Sequence, residues 1–379
     1  MTRQDISERA QHTKSALQGA SQVIWHAISG DDTWPGARRR IMSPVGIASL
    51  IGVVLVGLLG YGIGTARASG QDSSSGQPSG SGMTMNTDPS TANVPVATQT
   101  EGAQPLAFTT DSDGAKHFTM TAEQVMWSPV KGQRVLAWTL NGMVPGPTLH
   151  AVAGDHVRIT IVNHLPEPTT IHWHGLLVPS NEDGVPGVSQ KPIAAGASFT
   201  YEFTIHEDNY GTFAYHSHYD DLRQVGGGMY GAFIVDPKPG TVAAANEPKV
   251  QEDYLQIISE MGAYFVINGH SFPDTDVLHV HHGDTMRIRL INLGEMIHPM
   301  HLHGHNFSII ARDGSMLPTP EPGNTFQIAP GETADLLVYA WADPGSVYPF
   351  HCHILAHVMN PGQSMDEMGG LITLVQYDK

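Results

Sequence analysis

The segment YPFHCHILAHVMNPGQSMDEMGGL, residues 348–371, decides how this chain is read. It holds the only cysteine, Cys352, between His351 and His353. His357 follows five residues after the cysteine, and Met359, Met365 and Met368 lie beyond it. Two imidazoles, one thiolate and one thioether are the donor set of a blue copper electron-transfer site. A spacing of five lets one loop present Cys352 and His357 to the same ion. If the segment is a strand, His351 and His353 point to the face opposite Cys352. A second metal centre on that face would lie only a few covalent bonds from the first. A lone cysteine is often an inert core residue, but the flanking histidines argue against that reading here.

Three further histidine clusters strengthen it: His172-Trp173-His174-Gly175, His216-Ser217-His218, and His298-Pro299-Met300-His301-Leu302-His303. Two stretches also match each other. Gly154-Asp155 corresponds to Gly283-Asp284, and the intervals 155 to 172 and 284 to 301 are both 17 positions, so His174 and His303 coincide too. After each Gly-Asp turn apolar residues alternate, Val157, Ile159, Ile161 in one and Met286, Ile288, Leu290 in the other. Alternation of this kind predicts a strand with one buried face. Each copy later supplies a second histidine pair, His216/His218 and His351/His353. A duplicated domain is therefore expected over 105–237 and 251–379, joined by an acidic and polar connector. Short strands bounded by the abundant Gly (41) and Pro (26) imply an all-β antiparallel sandwich or barrel.

The four clusters, in this order and spelling, resemble those of the multicopper oxidases, and of the two-domain bacterial laccases in particular, over residues 105–379. The resemblance implies two cupredoxin-like Greek-key domains. It also implies a copper set: a type 1 ion on His298, Cys352 and His357 with an axial thioether, a type 2 ion on His172 and His301, and a type 3 pair on His174, His216, His218, His303, His351 and His353. Four copper ions per active unit follow, with four histidines from each domain. Related proteins place the axial ligand ten residues after the cysteine, where this chain has Gly362. Aligning on the following strand instead puts Met368 there, with Met365 and Met359 as fallbacks and a three-coordinate ion as the remaining reading. Asp183 matches an acid that relatives place near the cluster, as a proton donor for oxygen reduction; an Asp-Gly pair is also a common turn. A second acid would follow the last histidine, but Val358 stands there, leaving Asp366 or Glu367. The first domain has no type 1 site of its own, because Ser217 and Leu222 stand where the second has Cys352 and His357. That argues against a copper nitrite reductase.

The implied function is laccase-like oxidation of phenols or aromatic amines, one electron at a time, coupled to reduction of dioxygen to water. Electrons would pass from the type 1 ion through Cys352 to His351 and His353. Oxidation of Cu(I) or Mn(II) is the runner-up, with Met296, Met300, Met359 and Met365 near the type 1 motifs. A single-copper electron carrier would leave eight histidines unexplained. Two-domain relatives assemble as head-to-tail rings, so a homotrimer is expected.

The formal charge is −17; residues 1–42 carry six basic and four acidic side chains, so the remainder is near −19. Nucleic acid is an unsuitable partner for such a surface. With one cysteine there is no intrachain disulfide, and the cysteine count leaves the compartment open. Residues 41–66 contain no charge and are long enough to span a bilayer. Arg38, Arg39 and Arg40 precede them, which leaves residues 1–40 cytoplasmic and the rest extracytoplasmic. A retained transmembrane helix is favoured by length. An export signal cut after Ala66-Arg67-Ala68, and weakly resembling a twin-arginine signal, competes with it. Residues 67–104, rich in Ser, Gly, Thr and Pro, read as a flexible linker.

Overall fold

The two Gly-Asp turns each launch a strand, His156–Asn163 and Thr285–Asn292. In both halves that strand runs parallel to the first long strand of its domain, Lys116–Trp127 or Glu252–Met261, and antiparallel to a later one, Ser198–Thr204 or Thr333–Tyr339. The computed structural model describes residues 91–364 and 367–379. Within them the chain is nearly all β, as expected, and each half is a two-sheet sandwich. The first half has a five-stranded and a four-stranded sheet; the second has a six-stranded and a five-stranded one.

The register repeats the duplication residue by residue. His172 faces His216 across one strand pair, and His301 faces His351 across the other. One step along, Ile171 faces Ser217, and Met300 faces Cys352. Both histidine pairs thus stand at equivalent points on equivalent sheets.

The alternation expected of the two Gly-Asp strands holds in one copy only. His156–Asn163 alternates between buried and half-exposed, whereas every residue of Thr285–Asn292 after the first is buried. Met286, Ile288 and Leu290 fill the core of the second sandwich. Arg287, Arg289 and Ile291 point the other way, and that face is covered by the first domain. Ile291 joins an apolar cluster with Ile257, Val266, Trp127, Ala214 and Tyr230 from both domains. Large side chains buried in this way stabilise by about 1.5–3 kcal/mol each. Beside it, Asp253 accepts hydrogen bonds from both arginines, and Thr212 of the first domain receives one from Arg289 and donates to Asp335. The two sandwiches therefore share a core and a buried polar lock.

Residues 1–40, the apolar run 41–66 and the linker up to residue 90 lie outside the described residues. The end of the expected linker needs correction. Residues 94–104 are laid on both domains: Val96 pairs with Met126 and Ala103 N–H donates to Pro145 O in the first, and His270 Nε2–H of the second donates to Thr100 O. Their backbone groups find partners in existing edges, which composition does not reveal. Among the described residues no helix is long and apolar enough to cross a membrane.

Candidate metal centres

Cys352 ends the strand Val347–Cys352 and points into the core, while His351 and His353 emerge on the other side. The next residues form a single 3-10 turn, Leu355–Val358, which swings His357 back over the cysteine. His298 opens the neighbouring strand. The result is a compact trio. Cys352 Sγ lies 3.7 Å from His298 Nδ1 and 3.6 Å from His357 Nδ1, and the two nitrogens are 3.1 Å apart. All three side chains are buried. Three donors converging at this spacing leave a centre at ordinary metal–ligand distance from each, and the N, N, S chemistry suits copper. Burial pushes the Cys352 thiol up to about 11, against a small opposing effect of the Ile354 N–H. The thiolate is thus stable only with a cation to balance it. Burial and the neighbouring His298 hold His357 below its ordinary value, so this imidazole is neutral and free to ligate.

Glu260 was not apparent from the sequence. Its Oε1 accepts from His298 Nε2–H at 3.1 Å, and its Oε2 accepts from Glu295 N–H at 2.7 Å. Fixing the Nε2 proton aims the Nδ1 lone pair at the centre of the trio, the usual task of a carboxylate behind a ligating histidine. Burial would raise the Glu260 carboxyl, but the hydrogen bonds from His298 and Glu295 outweigh it and hold it low. Gly294 makes room: a Cβ there would stand 2.3 Å from Glu260 Oε2. Only a contact 38 residues away in sequence reveals this role.

Met368, by contrast, is 59% exposed, whereas the three buried donors are enclosed. Met365 and Asp366 lie outside the described residues. Glu367 accepts the Ser364 N–H at 3.1 Å.

The histidine pairs form two groups. In the first domain the rings of His172, His174, His216 and His218 lie 5.4–6.1 Å apart. Donor atoms of three of them, His172, His174 and His216, converge as a metal site would require. In the second domain the rings of His301, His303, His351 and His353 lie 5.0–5.9 Å apart. Backbone carbonyls fix the tautomers. The Nδ1–H groups of His172, His216, His301 and His351 donate to Asp183 O, Ser217 O, Asn324 O and Cys352 O. Each then keeps its lone pair on Nε2. His303 Nε2 and His351 Nε2 face each other at 2.9 Å. Burial, reinforced by the neighbouring imidazoles, lowers His216 to about 4 and also lowers His174, His303 and His351. Clustered imidazoles, with donor atoms that converge at His172, His174 and His216, fit copper.

Asp183 sits against this group, with its Oδ1 3.4 Å from His172 Nδ1. The following glycine is required: Gly184 has φ +80, and a Cβ there would lie 1.9 Å from Ile171 O. The turn that carries Asp183 can therefore press directly on the strand carrying His172.

Among the described residues no ring contact joins the two histidine groups. The place of a type 1 site in the first domain is closed. Thr169 and Ser217 stand where His298 and Cys352 stand in the second domain, and both donate to Gln224 Oε1, at 2.8 and 2.6 Å. Gln224 Nε2 is in turn bound to Glu167 and Pro168 O. All three side chains are fully buried, and their hydroxyl and amide groups are satisfied by one another and by Glu167 and Pro168.

Comparison with known proteins agrees with this geometry. Residues 121–240 and 246–362 each match a multicopper oxidase family model. A blue copper oxidase from Nitrosomonas europaea is 33% identical with a TM-score of 0.63, covering 69% of this chain and 85% of that one. The multicopper oxidase mgLAC is 37% identical with a TM-score of 0.64, covering 69% and 86%. Laccase-15 of Oryza sativa subsp. japonica is 34% identical over 246 residues, 56% of this chain and 40% of that protein. The chain belongs to the multicopper oxidase family. It spans less than half the length of the curated laccases it matches.

Proposed function

We propose that the protein is a laccase-like oxidase that couples one-electron oxidation of small phenols or aromatic amines to reduction of dioxygen to water. The observation that carries this reading is the strand end at 351–353. Cys352 faces the buried trio, and the histidines on either side of it face the second-domain histidine group. Copper, when bound, supplies one-electron acceptance at the trio and dioxygen reduction at the histidine groups. The chain's residues do the rest. Cys352 bridges the two regions by covalent bonds, the carbonyl-bound histidines keep their lone pairs on Nε2, and Asp183 stands where a proton can be delivered beside His172.

Four coppers per active unit fit the donor set: one at His298, Cys352 and His357, and three held by eight histidines. Those eight come as two separate groups of four, which supports a ring in which the first domain of one subunit meets the second domain of the next. Such heterologous contacts close into rings. Exposed apolar side chains flank both groups, Leu177 and Leu222 on one and Trp341 and Leu355 on the other. Surfaces of this kind are commonly covered by a partner.

The test is copper analysis joined to oxygen uptake. About four coppers per unit, with steady uptake on a phenol or an aromatic diamine, is the expected result. One copper and no uptake would make the protein a carrier. Uptake on Cu(I) or Mn(II) alone would make it a metal-ion oxidase, a reading to which the exposed Met296 beside Glu260 lends some support.

A further inference from the structure

Leu278–Val280 is the edge strand of the five-stranded sheet in the second domain, and the chain leaves it as His281-His282-Gly283-Asp284. Leu278 and Val280 are buried in the core, whereas His279 and His281 are exposed. This alternation puts two imidazoles on one outward face, two residues apart. Neither belongs to the trio or to the histidine groups. His279 pairs with Gln376, and Gln376 with Val347, at the far end of the strand that Cys352 closes. The five residues from Val347 to Cys352 span about 17 Å of strand.

The backbone beneath the two rings is fixed. Tyr254 Oη donates to His279 O at 2.7 Å and accepts from His279 N–H at 3.0 Å, and Asp378 N–H donates to Val280 O at 2.9 Å. Each imidazole also has a carboxylate at its Nδ1. Asp378 Oδ1 is 3.0 Å from His279 Nδ1, and Asp284 Oδ2 is 3.6 Å from His281 Nδ1. A carboxylate only accepts, so it draws the ring proton to Nδ1 and leaves the lone pair on Nε2. Among the described residues no hydrogen bond occupies either Nε2. Both rings also act on one carboxylate. The hydrogen bond from His279 holds Asp378 below its ordinary value, and the field of His281 adds to this. Exposed ion pairs of this kind contribute little to stability, so holding the fold together is a poor account of the arrangement. An imidazole backed by a carboxylate at one nitrogen and open at the other is how proteins present histidine to a transition metal.

We propose that His279 and His281 bind one Cu(II) ion through Nε2, with water completing its coordination and with Asp378 and Asp284 orienting the rings from behind. The ion exchanges water for two lone pairs, and no redox step is involved. Among divalent first-row ions, Cu(II) is held most tightly by such nitrogen donors, so Zn(II) should take the same place more weakly. The site goes beyond the oxidase reading and does not rest on it.

The test is a calorimetric titration of Cu(II) into the copper-loaded, desalted full-length protein, repeated with Zn(II). One further ion per chain is expected above the copper already held. His279→Ala and His281→Ala should each abolish its binding, because a single imidazole remains. Asp378→Ala should weaken it about tenfold, the scale of losing a carboxylate behind a ligating histidine. His206 is a control: it is exposed and 3.7 Å from Asp208, but it has no second imidazole two residues away. His206→Ala should leave the further ion in place. The copper held before titration should be equal in all four variants, which checks that they fold. No further ion in the parent protein would overturn the proposal. So would a further ion that survives both substitutions at 279 and 281, since that is adventitious binding elsewhere on the surface. Unchanged affinity in Asp378→Ala would overturn the part given to that carboxylate.

Discussion

Cys352 belongs to two regions at once because a strand alternates its side chains. Its Sγ is buried among His298, His357 and the core, and its neighbours on the chain face outward. Serine is close in size but offers a hard hydroxyl with a far higher pKa, which does not bind as a thiolate does. Cys352→Ser should therefore abolish the blue colour and nearly all turnover. The eight grouped histidines are untouched by it, so about three coppers per unit and the paramagnetic signal of a type 2 ion should remain. Normal oxygen consumption by this variant would sink the proposed mechanism, and loss of all copper would mean that the two regions load as one. The axial position is a separate question, because Met368 is largely exposed. If Met368 is the axial donor, Met368→Leu should keep the blue colour and raise the reduction potential, since a thioether tunes such a site without being needed to hold the ion. An unchanged potential would assign the place to Met359 or Met365, or to no ligand.

The strand Thr285–Asn292 shows how one element can serve two neighbours. Its apolar face completes the second sandwich, and its arginine face meets Asp253, Thr212 and Asp335 under the first. Asp335 is buried, with its Oδ2 3.6 Å from Arg289 and 3.9 Å from Arg287. Removing one partner of a buried charged network leaves the others uncompensated. Asp335→Ala should cost about 3 kcal/mol in chemical denaturation, and a loss below about 1 kcal/mol would show that the lock is held elsewhere. Asp253 adds a pH dependence. Burial would raise its carboxyl, but Arg287 and Arg289 outweigh this and hold it below the ordinary value. A depressed folded pKa means that its contribution is complete above the unfolded value, near pH 4, and is lost as pH falls through the folded one. Asp253→Asn should thus lower stability at neutral pH and flatten the acid-induced loss below about pH 4. An acid limb identical to that of the parent protein would refute the assignment.

For the whole molecule, the proposed ring would complete each of the two separate histidine groups with one from a neighbouring subunit. The soluble part should behave as a homotrimer by mass measurement, with copper loading dependent on assembly. A monomer with full copper content and full activity would overturn the ring. The apolar run at 41–66 raises a second question at this scale. As a retained anchor it sends the protein to the membrane fraction, with the oxidase domains on the extracytoplasmic side. An N-terminal sequence beginning at Ser69 would instead identify a cleaved export signal.

The donor types, the duplication and the all-β class are legible in the chain alone. Those are carried by local spacing: five residues from Cys352 to His357, equal intervals from each Gly-Asp turn to its histidines, and alternation on the strands. Short-range geometry suffices there, because a strand's two faces and a turn's reach are set by the backbone. Whatever depends on contacts far apart in the chain emerges only once it is folded. Glu260 stands behind His298 because the end of one strand meets the start of another that belongs to the other sheet of the sandwich. Residues 94–104 are anchored because edge strands offered their backbone partners. The outer face of Thr285–Asn292 is buried because another domain lies on it, and Thr169, Ser217 and Gln224 close the first-domain site with a network that three separate segments must meet to form. Each of these is settled by packing and by the need to satisfy buried polar groups, and neither leaves a periodic mark on the chain.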